Sequence, residues 1–238
     1  MSMSIDSVPR HVAIIPDSNR RWAKAQGKGA SFGHEAGAKM FKPVALLAAE
    51  KGIEHMSLWG LSLNNFSSRS PVELAALLRI FQEYFENLKD DADIHRLQIK
   101  IQAFGRWQEK FPASLVNAIE AAQAATAHYP AHTMNFFLAY NGTDEMMAAV
   151  QAIADSAKEK DVQVTPELIK QHLFTKDLPP VDLVIRTGGE PHLSTGFMMW
   201  DIADAELYFS DKLWPEFTTD EFAAALDWYK NRERRLGK

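Results

Sequence analysis

Asp17 is followed by Ser18, Asn19, Arg20, Arg21 and Trp22, so a carboxylate, an amide and two guanidinium groups crowd the end of an apolar run. That mixture suits a bound anion. The free N–H groups and positive dipole end of a helix start attract negative charge, and Asp17 can hold a magnesium ion against it. A turn or helix cap has the same composition, so the segment alone leaves both readings open. Two further segments have this character. Ser62 and Asn65 can position a proton or an anionic oxygen, and Arg69 adds charge, although a polar loop without ligand looks alike. In Arg186-Thr187-Gly188-Gly189-Glu190, followed by His192 and Ser194, Arg186 can make two parallel bonds to a phosphate. There Gly188 and Gly189 let successive N–H groups converge on an oxyanion, unless they only form a turn. Glu206 stands just before an aromatic run and reads either as a second metal ligand or as a strand-edge surface acid. His34, near a helix start, can donate to a phosphate, shuttle a proton or serve structure alone.

Something must bring these segments together. β-rich runs recur at Val12–Pro16, Met56–Leu61, Leu97–Phe104, Thr133–Tyr140 and Val181–Arg186, with helical patterns between them. The clearest helix spans Val72–Leu88, where Leu74, Leu77, Leu78, Phe81, Tyr84, Phe85 and Leu88 share one face. Further helices are expected over Ala45–Glu50, Ser114–Ala127 and Asp144–Ala157, from Thr165-Pro166, and from Thr218 with Glu221 at capping-box spacing. This alternation predicts an α/β fold: one domain over residues 1–238, with residues 1–10 flexible, around a mostly parallel sheet of about six strands flanked by helices. Ligands of such sheets sit beyond the carboxyl ends of the strands, which is where the reactive segments fall.

The composition narrows the partners. With 238 residues and 46% hydrophobic content the chain can bury one sizeable core. A net charge of -5 with scattered basic residues argues against nucleic acid. The absence of cysteine excludes disulfides, thiolate metal sites and a cysteine nucleophile, and fits the cytoplasm. The eight histidines lack zinc-ligand spacing, since Pro130 interrupts the pair His128 and His132. With no apolar run near the ~20 residues of a spanning helix, any membrane contact is expected to be peripheral.

In order, these segments resemble the cis-prenyltransferase family, best known from the bacterial undecaprenyl diphosphate synthases. The resemblance rests on His11-Val-Ala-Ile-Ile, Asn19-Arg-Arg-Trp-Ala-Lys, Phe32-Gly-His with Ala36-Gly-Ala, Val181-Asp-Leu-Val-Ile-Arg-Thr-Gly-Gly-Glu, Ala205-Glu-Leu-Tyr-Phe, Leu213-Trp-Pro and Asn231-Arg-Glu-Arg-Arg-Leu-Gly. It implies Mg²⁺ on Asp17 and an allylic diphosphate beside the first-strand loop with Arg20 and Arg21. It places a second, homoallylic diphosphate by Arg186, His192 and Ser194, with Glu206 as a further metal ligand nearby. Asn19, His34, Ser62 and Asn65 are then catalytic, Arg69 and the glycines Gly188 and Gly189 bind diphosphate, and Trp22, Trp59, Leu61, Phe66, Phe81 and Phe85 wall the apolar substrate pocket. The aromatic stripe of the Val72–Leu88 helix also reads as plain core packing. A homodimer is implied too, with Arg235-Leu236-Gly237 reaching across it.

The sequence departs from the family pattern at several places. Ser18 replaces a glycine, Ala30 an arginine, Asn64 an acid and His192 an arginine; Thr195-Gly196 fills the place of one residue; and Tyr140-Asn141-Gly142-Thr143 lacks the usual double glycine and arginine. Losing two guanidinium groups removes charge-assisted bonds worth roughly 1.5–3 kcal/mol each. The expected activity is therefore the condensation of small isoprenoid diphosphates, dimethylallyl or isopentenyl diphosphate, into a short-chain or irregular, head-to-middle product. A conventional long-chain elongating enzyme and a non-catalytic partner subunit are the alternatives.

Overall fold

The computed structural model describes residues 3–4, 8–159 and 161–234. A parallel sheet forms the centre, its inner strands buried on both faces and its edge strands partly exposed. These strands are β2 (His11–Ile15), β3 (His55–Leu61), β4 (Ile99–Phe104), β5 (His132–Leu138), β6 (Leu183–Arg186) and β7 (Glu206–Phe209), paired in the order β4-β5-β3-β2-β6-β7. Every pairing is parallel. Two short strands, β1 (Met3–Ser4) and β8 (Glu233–Arg234), pair antiparallel outside this sheet.

Alternation along each strand divides the apolar residues between two cores. Val12 and Ile14 of β2, Met134 and Phe136 of β5, and Leu183 and Ile185 of β6 face the larger one. Ala13, Ile15, Phe137 and Val184 face a smaller one completed by Trp59, Leu178, Phe197 and Met198. Covering both faces explains why β2 is apolar throughout rather than alternating with polar residues.

The helices are α1 (Asn19–Ala25), α2 (Ala30–Glu50), α3 (Leu63–Ser68), α4 (Pro71–Leu88), α5 (Ala92–Arg96), α6 (Trp107–Lys110), α7 (Ala113–Thr126), α8 (Gly142–Ser156), α9 (Pro166–His172) and α10 (Thr219–Lys230). Five of the expected helices, α4, α7, α8, α9 and α10, begin within a few residues of their sequence signals. Ser70 caps α4 and accepts from the Glu73 N–H, Pro71 occupies its first position, and Thr218 accepts from the Glu221 N–H to cap α10. The expectation for α2 was too short. Pro43 lies inside it, and although proline offers no N–H to the preceding turn, the helix runs for 21 residues because Phe41, Val44, Ala45 and Ala48 dock on the larger core.

No described helix is long and apolar enough to cross a membrane. Of the segment expected to be flexible, residues 1–2 and 5–7 lie outside the described residues, as does Arg235-Leu236-Gly237. Within it Arg10 is tied down: its N–H donates to Asp182 Oδ2 at 2.8 Å and its side chain to Glu54 at 2.6 Å.

Candidate active site

Beyond the carboxyl ends of β2, β3 and β6 lies a cavity of about 520 Å³. β2 delivers Asp17. Its backbone N–H donates to Thr187 Oγ1 at 2.9 Å, fixing the two strand ends side by side. Its carboxylate accepts from Arg186 Nη2 at 2.7 Å and from the Ser18 N–H at 2.5 Å, and the side chain remains 37% exposed. Arg186 is buried. Its Nη1 donates to the His192 carbonyl at 2.6 Å and to Ser194 Oγ at 2.9 Å, while its Nε has no hydrogen-bond partner among the described residues. One guanidinium thereby organises both reactive loops and keeps a donor in reserve.

Ser18, at φ +81°, opens α1 from the left-handed region, which swings Asn19, Arg20 and Arg21 over the cavity. Arg21 donates to Ser18 Oγ and to the Gly188 carbonyl, the latter at 2.6 Å. α1 can lie this close to α2 because Gly33 and Gly37 have no side chains: a Cβ at Gly33 would stand 2.1 Å from the Asn19 carbonyl oxygen, and one at Gly37 would meet Asn19 Oδ1 at 2.5 Å. Asn19 Oδ1 is buried without a hydrogen-bond partner among the described residues.

α2 contributes His34, α3 is followed by Arg69, and α4 begins with Glu73. Arg69 Nη1 donates to His34 Nε2 at 2.7 Å and to Glu73 Oε1 at 2.5 Å. Burial pushes the His34 imidazole below its usual range, with Glu73 opposing and Arg69 reinforcing the shift; its Nε2 stands 3.0 Å from Glu73 Oε1 as well as beside Arg69. Glu73 itself is held below the ordinary carboxylate range: burial raises it, but His34 and Arg69 outweigh that.

On the opposite wall a bulge after Trp59 shifts the β3–β5 register, turning Leu61 and Ser62 into the cavity mouth. Ser62 caps α3 by accepting from the Asn65 N–H at 2.9 Å. The apolar lining includes Ala38, Phe41, Leu77, Ile80 and Phe81.

These motifs, on this sheet, match known proteins. The family model described as "Putative undecaprenyl diphosphate synthase" covers residues 15–237. The Escherichia coli K12 ditrans,polycis-undecaprenyl-diphosphate synthase ((2E,6E)-farnesyl-diphosphate specific) is 39% identical over 96% of this chain and 89% of its own length. The chain belongs to the undecaprenyl diphosphate synthase family of prenyltransferases. A second relative, the tritrans,polycis-undecaprenyl-diphosphate synthase (geranylgeranyl-diphosphate specific) of Methanocaldococcus jannaschii, is 37% identical over 98% of this chain and 84% of its length. Among solved structures, lavandulyl diphosphate synthase from Lavandula x intermedia in complex with dimethylallyl diphosphate superposes with a TM-score of 0.89 at 31% identity, covering 97% of this chain and 99% of that one. This prenyltransferase is thus an enzyme of the prenyl diphosphate synthase class.

Of the residues singled out from the prenyltransferase's sequence, Asp17, Asn19, Arg20, Arg21, His34, Trp59, Leu61, Ser62, Asn65, Arg69, Phe81, Arg186 and Ser194 line the cavity. Others do not. Trp22 stacks on Phe32, Phe66 leans on Phe111, and Phe85 packs edge-on against Phe136 in the core. His192 stands behind Ser194, its Nε2 3.2 Å from Ser194 Oγ. The glycine pair does not form an oxyanion cradle: the Gly188 N–H donates to the Lys212 carbonyl and the Gly189 N–H to that of Ser210, so both donors are spent on the fold. Glu206 is not brought to Asp17. It pairs in register with Leu183 at the start of β6, whereas the site lies past Arg186 at the other end, and it faces Arg232 at 3.4 Å.

Sequence reading passed over Glu73, Thr187, Leu77 and Ile80 as members of the site. Glu73 was detectable, since Ser70 stands three residues before it at capping-box spacing. Thr187 carried no signal beyond following Arg186.

The prenyltransferase family uses a divalent metal for diphosphate binding. Among the described residues no three His, Asp or Glu side chains converge as a metal cage. A small hard cation that keeps its waters needs only one or two carboxylates plus substrate phosphates, and the partly exposed Asp17 beside Arg20, Arg21 and Arg186 fits that requirement.

Proposed function

We propose that the chain is a Mg²⁺-dependent prenyl diphosphate synthase that joins two five-carbon units, dimethylallyl diphosphate serving as donor, into a short, irregular head-to-middle product. The observation that carries this reading is the size of the cavity: about 520 Å³, with Phe41, Leu77, Ile80 and Phe81 in its apolar lining. That lies within the ~300–1,000 Å³ of ordinary small-molecule pockets and leaves little room for an undecaprenyl chain. The likeness to lavandulyl diphosphate synthase supports it.

Asp17 would hold the metal, which neutralises charge on the departing pyrophosphate. Arg20 and Arg21 bind the same diphosphate from the start of α1, while Arg186 and Ser194 bind that of the second substrate. The allylic C–O bond breaks with its electron pair leaving on pyrophosphate. The π pair of the second substrate's double bond then forms the new C–C bond, and the resulting cation loses a proton. Phe41, Phe81, Leu61 and Trp59 keep water from the cations. Ser62 and Asn65, between the two ends, are placed to take the proton or pass it to a phosphate oxygen.

The protein is further proposed to act as a homodimer in the cytoplasm. β7 ends the sheet with Leu207 and Phe209 exposed, an edge that a second chain would cover.

Conventional elongation is the second reading, favoured by the 39% identity to the E. coli enzyme. Product analysis separates the two. Purified protein with Mg²⁺ and dimethylallyl diphosphate alone is expected to yield a ten-carbon diphosphate; product only when isopentenyl diphosphate is added, and of fifteen carbons or more, would establish elongation instead.

A further inference from the structure

Three of the places where the sequence leaves its family's pattern meet in space. Asn64 follows β3, Asn141 follows β5 and Thr195 follows β6, and they form one neutral hydrogen-bonded group. Asn141 Nδ2 donates to Asn64 Oδ1 at 3.0 Å; its Oδ1 accepts from the Leu63 N–H at 3.2 Å and from Thr195 Oγ1 at 3.3 Å. Asn64 and Thr195 line the cavity, and Asn141 is buried behind them.

Asn141 occupies the cap position of α8, where an asparagine side chain ordinarily accepts from its own helix. Here it makes no such bond and serves the first N–H of α3 instead. The backbone confirms how tightly the three loops are pressed together. A Cβ on Gly142 would stand 1.7 Å from the Gly196 carbonyl oxygen, and Thr195, Gly196 and Met198 all hold positive φ, at +43°, +66° and +49°. Non-glycine residues keep such angles only where their surroundings over-determine them.

The geometry points to Asn141 as a positioning residue for the coupling step. It clamps the Ser62–Asn65 side of the cavity to the Arg186–Ser194 side, and so fixes how the acceptor's double bond faces the allylic cation formed beside Asp17. This rests on the proposed two-substrate reading of the cavity. Neither substrate touches Asn141, so its loss leaves ionisation of the donor in place but lets water compete with the acceptor. The displaced acceptor then yields to a five-carbon alcohol, formed by addition of water to the cation and loss of a proton.

The experiment measures pyrophosphate release and, in the same reaction, the ratio of coupled product to five-carbon alcohol, with purified full-length protein, Mg²⁺ and whichever acceptor the wild type uses. Asn141→Ala is expected to release pyrophosphate within about threefold of wild type and to shift the ratio toward alcohol by about tenfold or more, as small misplacements of reacting groups do. Asn141→Asp, which keeps both acceptor bonds and can regain the third once the Asn64 amide turns to present its Nδ2, is expected to restore coupling in part. Thr195→Val, which removes one bond of the clamp, is expected to shift the ratio part-way and serves if Asn141→Ala fails to fold by circular dichroism. An unchanged ratio in folded variants overturns the inference, and so does a loss of turnover in which coupling and ionisation fall together. The identity of the wild-type product tests the proposed function separately, because the ratio is read against the wild type whatever that product is.

Discussion

The two ends of the sheet are built on opposite principles. At the amino ends polar groups close on one another. His11 Nδ1 donates to the Pro179 carbonyl at 2.9 Å, its Nε2 accepts from Ser57 Oγ at 2.8 Å, and Ser57 Oγ accepts in turn from Asn135 Nδ2. Asp182 takes the Arg10 and His11 N–H groups, and His132 and His55 find the Ile53 carbonyl and the Thr133 hydroxyl. At the carboxyl ends the donors of Arg186 and the acceptor of Asn19 are left partly unmatched, and the backbone is contorted. Positive φ occurs after β2 at Ser18, after β4 at Gly105, after β5 at Ala139 and after β6 at Gly188, Gly189, Thr195, Gly196 and Met198. Such features are densest there without being confined to it, since Asn135 Oδ1 is buried without a partner among the described residues and Gly52 and Gln98, before β3 and β4, hold φ of +83° and +53°. Chemistry belongs to the second end because an unmatched group is free to meet a ligand.

The contrast can be broken from either side. The largest effect is expected at the strained end: Asp17→Ala should lower kcat by about 10²–10³-fold, the scale of losing one electrostatic contact to developing charge, in a protein still folded by circular dichroism but with a lowered thermal transition, because the buried Arg186 loses its carboxylate partner. A near-wild-type rate measured with saturating Mg²⁺ would remove Asp17 from the site. At the satisfied end the expected effect is on stability. Burial pushes His11 down to about 4, the Pro179 carbonyl only partly opposing. The unfolded chain binds a proton near pH 6.5 that the folded protein refuses, so stability is fullest above that pH and falls as pH drops toward 4, by about 3 kcal/mol. Guanidinium chloride titrations at several pH values should show this slope, and His11→Asn should flatten it while leaving kcat at pH 7.5 unchanged. The smallest effect is expected at His192, which is 54% exposed. His192→Arg should lower the acceptor's KM by about three- to tenfold, an exposed charge being worth less than a buried one. Unchanged or weaker binding would give the histidine a role of its own.

The same contrast explains what could be read from the sequence. Five strands of the main sheet were legible as β-rich runs, most plainly β2, which is buried throughout, whereas β7, half-exposed at the sheet's edge, was not; the candidate catalytic loops were legible because charge follows β2 and β6 abruptly. Pairings across the chain were not. Nothing in Gly188-Gly189 reveals that Lys212 and Ser210 claim both N–H groups, and nothing before Glu206 reveals the register that carries it away from Asp17. The aromatic helix was legible as an amphipathic face, yet only the position of each turn along its axis decides that Phe81 lines the cavity while Phe85, one turn on along the same face, lies wholly within the core. The helix expected over Ala45–Glu50 was read too short, since tertiary packing carries α2 through Pro43 where local preference would end it. Asn64, Asn141 and Thr195 were each visible as departures, but their meeting is a property of the folded chain alone.

Trp214 binds the site to the hydrophobic interior. Its backbone N–H donates to the Asp17 carbonyl at 3.0 Å, its indole N–H donates to the Gly37 carbonyl at 2.8 Å, and its ring is fully buried between Phe41 and Phe217. Freeing the Asp17 backbone from this contact means disturbing a tryptophan seated in the core, so the proposed metal-side loop is expected to lose its order together with the fold on heating, thermal inactivation and global unfolding coinciding.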